Sequence, residues 1–248
     1  MSASCPAPAL SRFLGAGLHL SQLSHFRGPP HSSAANAARH EGQKYVGGLD
    51  VKDYFGSVTL AMVTECLVAN GFDLDLSKKI GRLLTRRGVL PQGAPTSPIL
   101  SNALLFDFDE QMSLACARLG LNYTRYADDI VISGENRPRV EEAFAIANSE
   151  LRTRYGLELN QDKTRIVPQY QRQWVTGAVV NSKAAPARKF RKKVRAIFHE
   201  ADKDPARFAN EINRLTGYLG YMAGFSALRD SKEVSQYRSI VDRIRRAP

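Results

Sequence analysis

Leu121-Asn122-Tyr123-Thr124-Arg125-Tyr126-Ala127-Asp128-Asp129-Ile130-Val131-Ile132-Ser133 sets two runs of β-branched and aromatic residues on either side of a carboxylate pair. The pattern predicts a β-hairpin with Asp128 and Asp129 at or beside its turn. Neighbouring residues of a regular strand face opposite ways, so only a turn lets both acids approach one centre. With no Lys or Arg beside them at the tip, the two carboxylates repel unless a cation lies between them. A hard divalent ion with oxygen ligands, Mg²⁺ or Mn²⁺, meets that requirement. Taken alone, the pair is equally well an ordinary polar turn.

A third acid lies upstream. Tyr45-Val46-Gly47-Gly48-Leu49-Asp50-Val51-Lys52-Asp53-Tyr54-Phe55 reads as a buried strand with carboxylates near its C-terminal end. A charge inside an apolar strand is costly unless it is paired or metal-bound, so Asp50 also wants a cation. If the two segments are neighbours, Asp50, Asp128 and Asp129 converge on a space for two divalent ions about 3.5–4 Å apart. That arrangement suits in-line phosphoryl transfer, which asks little of the protein beyond positioning and charge. Lys163, in the turn Asp162-Lys163-Thr164, reads as a general acid or electrostatic partner for pyrophosphate, or as a solvated turn lysine.

The rest of the chain supplies a frame for these acids. Ser57 is a plausible N-cap for a helix through Leu60, Val63, Leu67 and Val68, ended by Asn70-Gly71. A second helix is expected over residues 76–87, with Ile80, Leu83 and Leu84 as its core stripe and Arg82, Arg86 and Arg87 turned away. The turn-rich stretch Gly88 to Pro98 leads into a long helix over residues 99–119; its Gly and Pro residues allow close backbone approach to a ligand, or simply a loop. Residues 138–155 form an amphipathic helix with Val140, Phe144, Ile146, Ala147 and Leu151 inward. Short strands follow at 157–160, 166–167 and 174–180. The order predicts an α+β layered domain, an antiparallel sheet carrying helices on one side.

Composition bounds the class. With 248 residues, 43% hydrophobic and 24% charged, the chain can bury a core without staples. Cys5, Cys66 and Cys116 are too scattered for a disulfide framework or a zinc site, which favours a reducing compartment. No apolar run approaches the roughly 20 residues of a membrane span. Residues 1–20 do not read as a secretory signal, so a cytoplasmic location and no membrane partner are expected. Net charge is +11, and from Lys183 to Pro248 sixteen Lys and Arg face seven Asp and Glu. Such a concentrated positive field draws polyanions by counterion release, or is a solvated helical surface. Arg188, Lys189, Arg191, Lys192 and Arg195 open this segment; Ile212, Leu215, Leu219 and Met222, then Val241 and Ile244, give its helices an apolar stripe. Before Gly48 little is legible: a short helix within residues 10–23, and Asn36 and His40 four apart on one helical face.

Leu49 to Phe55, Leu90 to Pro98 and Tyr126-Ala127-Asp128-Asp129 resemble, in order and spacing, the first three palm motifs of reverse transcriptases, and Gly156 to Thr164 resembles the fourth, with Lys163 at its lysine. The resemblance covers residues 24–224 and implies a right-hand polymerase: a residual fingers segment at 1–48, a palm at 49–181 and a basic helical thumb at 182–248. It implies Asp50 and Asp128 as main metal ligands for two Mg²⁺ and Asp129 as third acid. Phe55 becomes the bulky gate against a ribose 2′-hydroxyl, Gln92 a contact of the incoming deoxynucleotide, and the backbone from Val51 onward a neighbour of its triphosphate. The basic residues Arg188, Lys189, Arg191, Lys192 and Arg195 would hold nucleic acid.

Asn36-Ala37-Ala38-Arg39-His40 is similar to the Asn-Ala-x-x-His element of retron reverse transcriptases, and Val175-Thr176-Gly177 with Asn181 to their Val-Thr-Gly element. That implies a bacterial enzyme priming from a 2′-hydroxyl of its own non-coding RNA and making single-stranded DNA, usually in anti-phage defence, with an effector protein as a further partner. Family members carry a longer basic fingers region; 35 residues precede Asn36 here and Arg12 and Arg27 match poorly, so either this start lies too late or the fingers are abbreviated. The competing expectations are an RNA-binding scaffold without activity and a group II intron type of reverse transcriptase.

Overall fold

The computed structural model describes Leu18 and residues 32–246; the helix expected within 10–23, and Arg12 and Arg27, lie outside the described residues. The hairpin forms as its alternation predicts: β2 (Asn122–Tyr126) and β3 (Asp129–Gly134) are antiparallel, Tyr126 opposite Asp129, joined through Ala127 and Asp128. Ala127 takes φ 58, the left-handed region that costs a residue with a Cβ about 1–2 kcal/mol. Strand β1 (Tyr45–Asp50) pairs antiparallel with β3 on one side and with β4 (Arg165–Pro168) on the other, giving the order β2-β3-β1-β4.

Register assigns the faces. Asp50 stands opposite Asp129, Gly48 opposite Val131 and Val46 opposite Ser133, so these share one face; Leu49 with Ile130 and Gly47 with Ile132 share the other. Helices Phe106–Leu119 and Arg137–Tyr155 cover the second face. Gly47 permits this closeness, since a Cβ there would collide with the Phe144 ring. The first face is covered in part by helix Ser33–Ala38 and by the C-terminal helices, and Val46 and Val131 share an apolar cluster with Val194, Phe198, Leu215 and Ile240. The chain adopts the expected α+β architecture with an antiparallel sheet, but helices pack on both faces rather than on one, so the sheet divides two cores. Among the described residues no helix is long and apolar enough to cross a membrane.

Local expectations need correction. The N-cap of helix Leu60–Ala69 is Thr59, whose hydroxyl accepts the Met62 N–H, because Ser57 belongs to the preceding short helix Tyr54–Ser57 and its hydroxyl donates to the Lys52 carbonyl. Helix Leu74–Leu84 buries Ser77, Ile80, Gly81 and Leu84 and leaves Leu83 79% exposed, since bare Gly81 lets Leu60 and Thr64 close on that side. The helix expected over 99–119 breaks at Leu105 into Ser97–Leu104 and Phe106–Leu119. Residues 157–160 make one isolated bridge, Val51 with Leu159, rather than a strand. The run 174–180 folds back on itself: β5 (Trp174–Val175) and β6 (Ala178–Val179) meet around Thr176 and Gly177, both at positive φ, the signature of a tight two-residue hairpin.

Candidate active site

Strand β1 delivers Asp50 to the open end of the first face, and the β2–β3 turn delivers Asp128 and Asp129 beside it. Asp50 is buried, Asp128 half-buried and Asp129 exposed. The chain beyond Asp50 is stitched to the turn, the Val51 N–H donating to the Asp128 carbonyl at 3.2 Å. On its other edge the Asp50 carbonyl accepts the Asn160 N–H at 2.8 Å, and Asn160 in turn organises the tight turn carrying Lys163. Lys163 Nζ thereby comes to 2.7 Å from Asp50 Oδ1. The structure thus brings Asp50, Asp128, Asp129 and Lys163 to one place.

Their charges are strongly coupled. Partial burial, then the Asp128 and Asp50 carboxylates, push the Asp129 carboxyl up to about 6, against the pull of Lys163 and Arg165. Burial and Asp50 also raise Asp128, opposed by a backbone hydrogen bond and Lys163. The Lys163 ammonium is held above its usual range by its hydrogen bond to Asp50. Crowded carboxylates with a lysine seated among them are a donor set for a hard oxygen-binding cation. Among the described residues no three His, Cys, Asp or Glu side chains close into a ligand cage. The fit is to an ion of the Mg²⁺ type, which takes one or two carboxylates and draws its other ligands from water and substrate phosphates.

A cleft of about 320 Å³ opens in front of these groups, lined by Asp50, Asp129, Lys163, Arg165, Arg172 and Trp174 among others. Of the residues expected at the nucleotide, Val51 is buried, Phe55 is half-buried with its ring 5.7 Å from that of Tyr54, and Gln92 is exposed in the turn before Ser97–Leu104. None of the three lines the cleft as it stands. Beyond it lies a groove of about 900 Å³ lined by Arg188, Lys189, Arg191, Lys192 and Arg195, with Arg172 and Trp174 again in its wall. Trp174 is 40% exposed and carries the Arg172 guanidinium 5.8 Å from its ring centre. Within the basic set, Arg191 and Arg195 are both tied to Glu233, at 2.8 and 3.1 Å, whereas Arg188, Lys189 and Lys192 extend the positive wall of the groove.

Sequence reasoning missed Arg165, Arg172 and Trp174 in the cleft; the signal was a tryptophan and two arginines flanking a turn otherwise read as plain sheet. It also did not connect Asn36 and His40 to the hairpin. His40 is fully buried, its Nδ1 2.7 Å from Ser133 Oγ and its Nε2 2.8 Å from Thr124 Oγ1, while Thr124 also bonds Asn36. The Asn36–His40 segment therefore braces β2 and β3 from the first face, behind the acids.

Residues 11–196 match the family model described as reverse transcriptase (RNA-dependent DNA polymerase). The chain is 34% identical over 223 residues to the retron Mx65 reverse transcriptase of Myxococcus xanthus, covering 83% of this chain and 52% of that one. It is 34% identical over 225 residues to the retron Mx162 reverse transcriptase of the same organism, covering 77% of this chain and 46% of that one. To the retron Ec86 reverse transcriptase of Escherichia coli it is 31% identical over 192 residues, covering 75% of this chain and 58% of that one. The chain thus spans about half the length of the curated relatives it matches. Among solved structures, apo telomerase from Candida tropicalis superposes with a TM-score of 0.59 over 96% of this chain and 48% of that one, at 10% identity. A form of that telomerase truncated from its C-terminal domain gives 0.52 over 73% of this chain and 45% of that one, at 11% identity. These likenesses bear on the fold.

Proposed function

The chain belongs to the reverse transcriptase family, and we propose from that premise that it is an RNA-directed DNA polymerase of retron type. The observation that carries the reading is the opposition of Asp50 and Asp129 across β1 and β3, with Asp128 in the adjoining turn and Lys163 closing the fourth side. Asp50, Asp128 and Asp129 would hold two Mg²⁺, with Mn²⁺ as substitute. Bound there, the ions supply the lowered pKa of an attacking hydroxyl and neutralise charge on the phosphates.

The chain's own groups do the rest. Asp50 and Asp129 would hold the ions in fixed places, because their strands are locked in register. Lys163 is seated to donate charge or a proton to the leaving pyrophosphate. Phe55 excludes a ribose 2′-hydroxyl by bulk, the backbone from Val51 follows the triphosphate, and Gln92 contacts the incoming deoxynucleotide. RNA template and DNA product would run from the cleft past Trp174 and Arg172 into the basic groove. There aromatic and guanidinium faces stack on bases, and Arg188, Lys189 and Lys192 meet phosphates. The cognate partner is a retron-type non-coding RNA that also serves as primer, with an effector protein and anti-phage defence as the biological setting and the cytoplasm as its place.

Primer extension on an RNA template with deoxynucleotides and Mg²⁺ tests the reading. Incorporation by the parent should fall at least about 10³-fold in Asp128→Asn, since stabilising the developing charge contributes most of the rate enhancement in such chemistry. Equal incorporation by both removes the assigned chemistry, and RNA binding without any incorporation selects the scaffold reading instead.

A further inference from the structure

Arg125 lies in β2 opposite Ile130, and register turns it to the helix-covered face, away from the acids. It is completely buried, as is Asp109 of helix Phe106–Leu119. Arg125 Nε donates to Asp109 Oδ1 at 2.8 Å and Nη2 to Asp109 Oδ2 at 2.6 Å, a bidentate pair; Nη2 also reaches Asn102 Oδ1 at 3.0 Å. Tyr123 adds its hydroxyl proton to Asp109 Oδ1 at 2.6 Å. The remaining arm, Nη1, donates to the carbonyl of Ala127 at 3.0 Å.

Stability alone gives a weak reason for this pair. A buried ion pair is often replaced by apolar residues of similar volume at no loss, because desolvation consumes most of the attraction. What an apolar replacement cannot supply is the donor aimed at Ala127. That residue carries the left-handed backbone of the turn, and strain of this kind persists only where the surroundings over-determine it. The Ala127 carbonyl is held by Arg125 and the Asp128 carbonyl by the Val51 N–H, so both peptide groups that frame Asp128 are fixed.

We propose that Arg125, anchored by Asp109 and Asn102, is a positioning residue that fixes the Ala127–Asp128 turn so that the Asp128 carboxylate is presented toward Asp50. The proposal rests on the polymerase reading for its effect on rate. Its geometry stands independently of that reading. Asn102 sits in the helix that follows the Gln92 turn, so the same guanidinium references the hairpin to the segment expected to meet the nucleotide.

The decisive variant removes both charges together, Asp109→Leu with Arg125→Met, which preserves volume and leaves no unpaired ion. Thermal unfolding, amide exchange at Val51 and single-nucleotide extension are measured on the full chain. The expected result is a modestly lowered melt, since the Tyr123 hydroxyl and Asn102 Oδ1 lose their partners, with Val51 exchange at least about tenfold faster and a turnover drop of about 10²-fold with little change in nucleotide KM, as for a misplaced catalytic group. Parent-like exchange and turnover in the folded double variant would overturn the proposal. If the double variant does not fold, Arg125→Lys, which keeps a cation for Asp109 but loses the arm to Ala127, is held to the same two readouts. Loss of the fold in both would assign the pair to stability and overturn it equally. Exchange is read without template or nucleotide, so a parent that extends no primer sinks the polymerase reading and leaves the Arg125 result standing.

Discussion

Lys163 Nζ stands 2.7 Å from Asp50 Oδ1, joining a side chain 63% exposed to one only 10% exposed. An ammonium in that position competes with any divalent ion for the same carboxylate. Lys163→Ala is therefore expected to bind Mn²⁺ more tightly than the parent in the absence of nucleotide, and to incorporate about 10²-fold more slowly, the usual worth of a positioned proton donor. Paramagnetic Mn²⁺ titration and single-turnover extension check the two halves. Weaker Mn²⁺ binding by the variant would show that the lysine does not occupy the ion's place.

The raised Asp129 carboxyl sets a pH dependence. Its ordinary value is 3.8 and in the folded chain it reaches about 6, through partial desolvation of the carboxyl at a residue otherwise exposed, then through the neighbouring Asp128 and Asp50. Between about pH 4 and pH 6 the folded state holds a proton that the unfolded chain has released, so stability falls as pH rises through that window. Asp129→Asn should melt higher than the parent at pH 7 in chelator, with the difference shrinking toward pH 4. Extension by the parent should decline as pH drops below about 6. A melt lowered by the substitution at pH 7 would contradict the repulsion.

Phe55 is half-buried beside Tyr54. Phe55→Ala is expected to admit ribonucleotides, raising their incorporation relative to deoxynucleotides at least about tenfold, at a stability cost of about 2 kcal/mol for a partly buried ring. Competition between the two sugars in primer extension measures the first effect and thermal unfolding the second. Unchanged sugar selectivity would remove Phe55 from the gate.

Trp174 is a residue through which the cleft and the basic groove share a wall. Replacing it with Ala should weaken single-stranded RNA binding by about 1–3 kcal/mol, the worth of one stacked base, while Trp174→Phe retains most of it. Lys192→Ala should instead flatten the salt dependence, with a slope reduced by about one ion. Fluorescence anisotropy over a salt series separates the two. Equal affinity for Trp174→Ala and the parent would exclude stacking there.

The arrangement of the three acids was legible because it depends on local rules: alternation predicted the hairpin, and a charge in the apolar run around Asp50 demanded a counter-charge. What brings Asp50 opposite Asp129 is strand pairing between distant parts of the chain, which pattern alone left conditional. The basic helix was legible as charge, but not that Glu233, far along the chain, engages Arg191 and Arg195. Glu233 shows the engagement: burial favours its neutral form, yet hydrogen bonds from Arg191, Tyr237 and Arg195 hold it below the usual carboxylate range. Leu83 falls outside the core because helical spacing gives a stripe's width and not which edge a neighbouring glycine will allow to close. A lone arginine in a strand reads as a surface residue until its acid, sixteen positions earlier, is seen beside it, as Asp109 is beside Arg125.

Val46 and Val131 point their side chains into the interior that Phe198, Leu215 and Ile240 complete. A fragment cut after Asn181 would expose that seam to water and lose the backing of the very strands that carry the carboxylates. The C-terminal helices are thus not a detachable appendage: they share one apolar interior with the strands that carry Asp50 and Asp129, so removing them would uncover that side of the sheet.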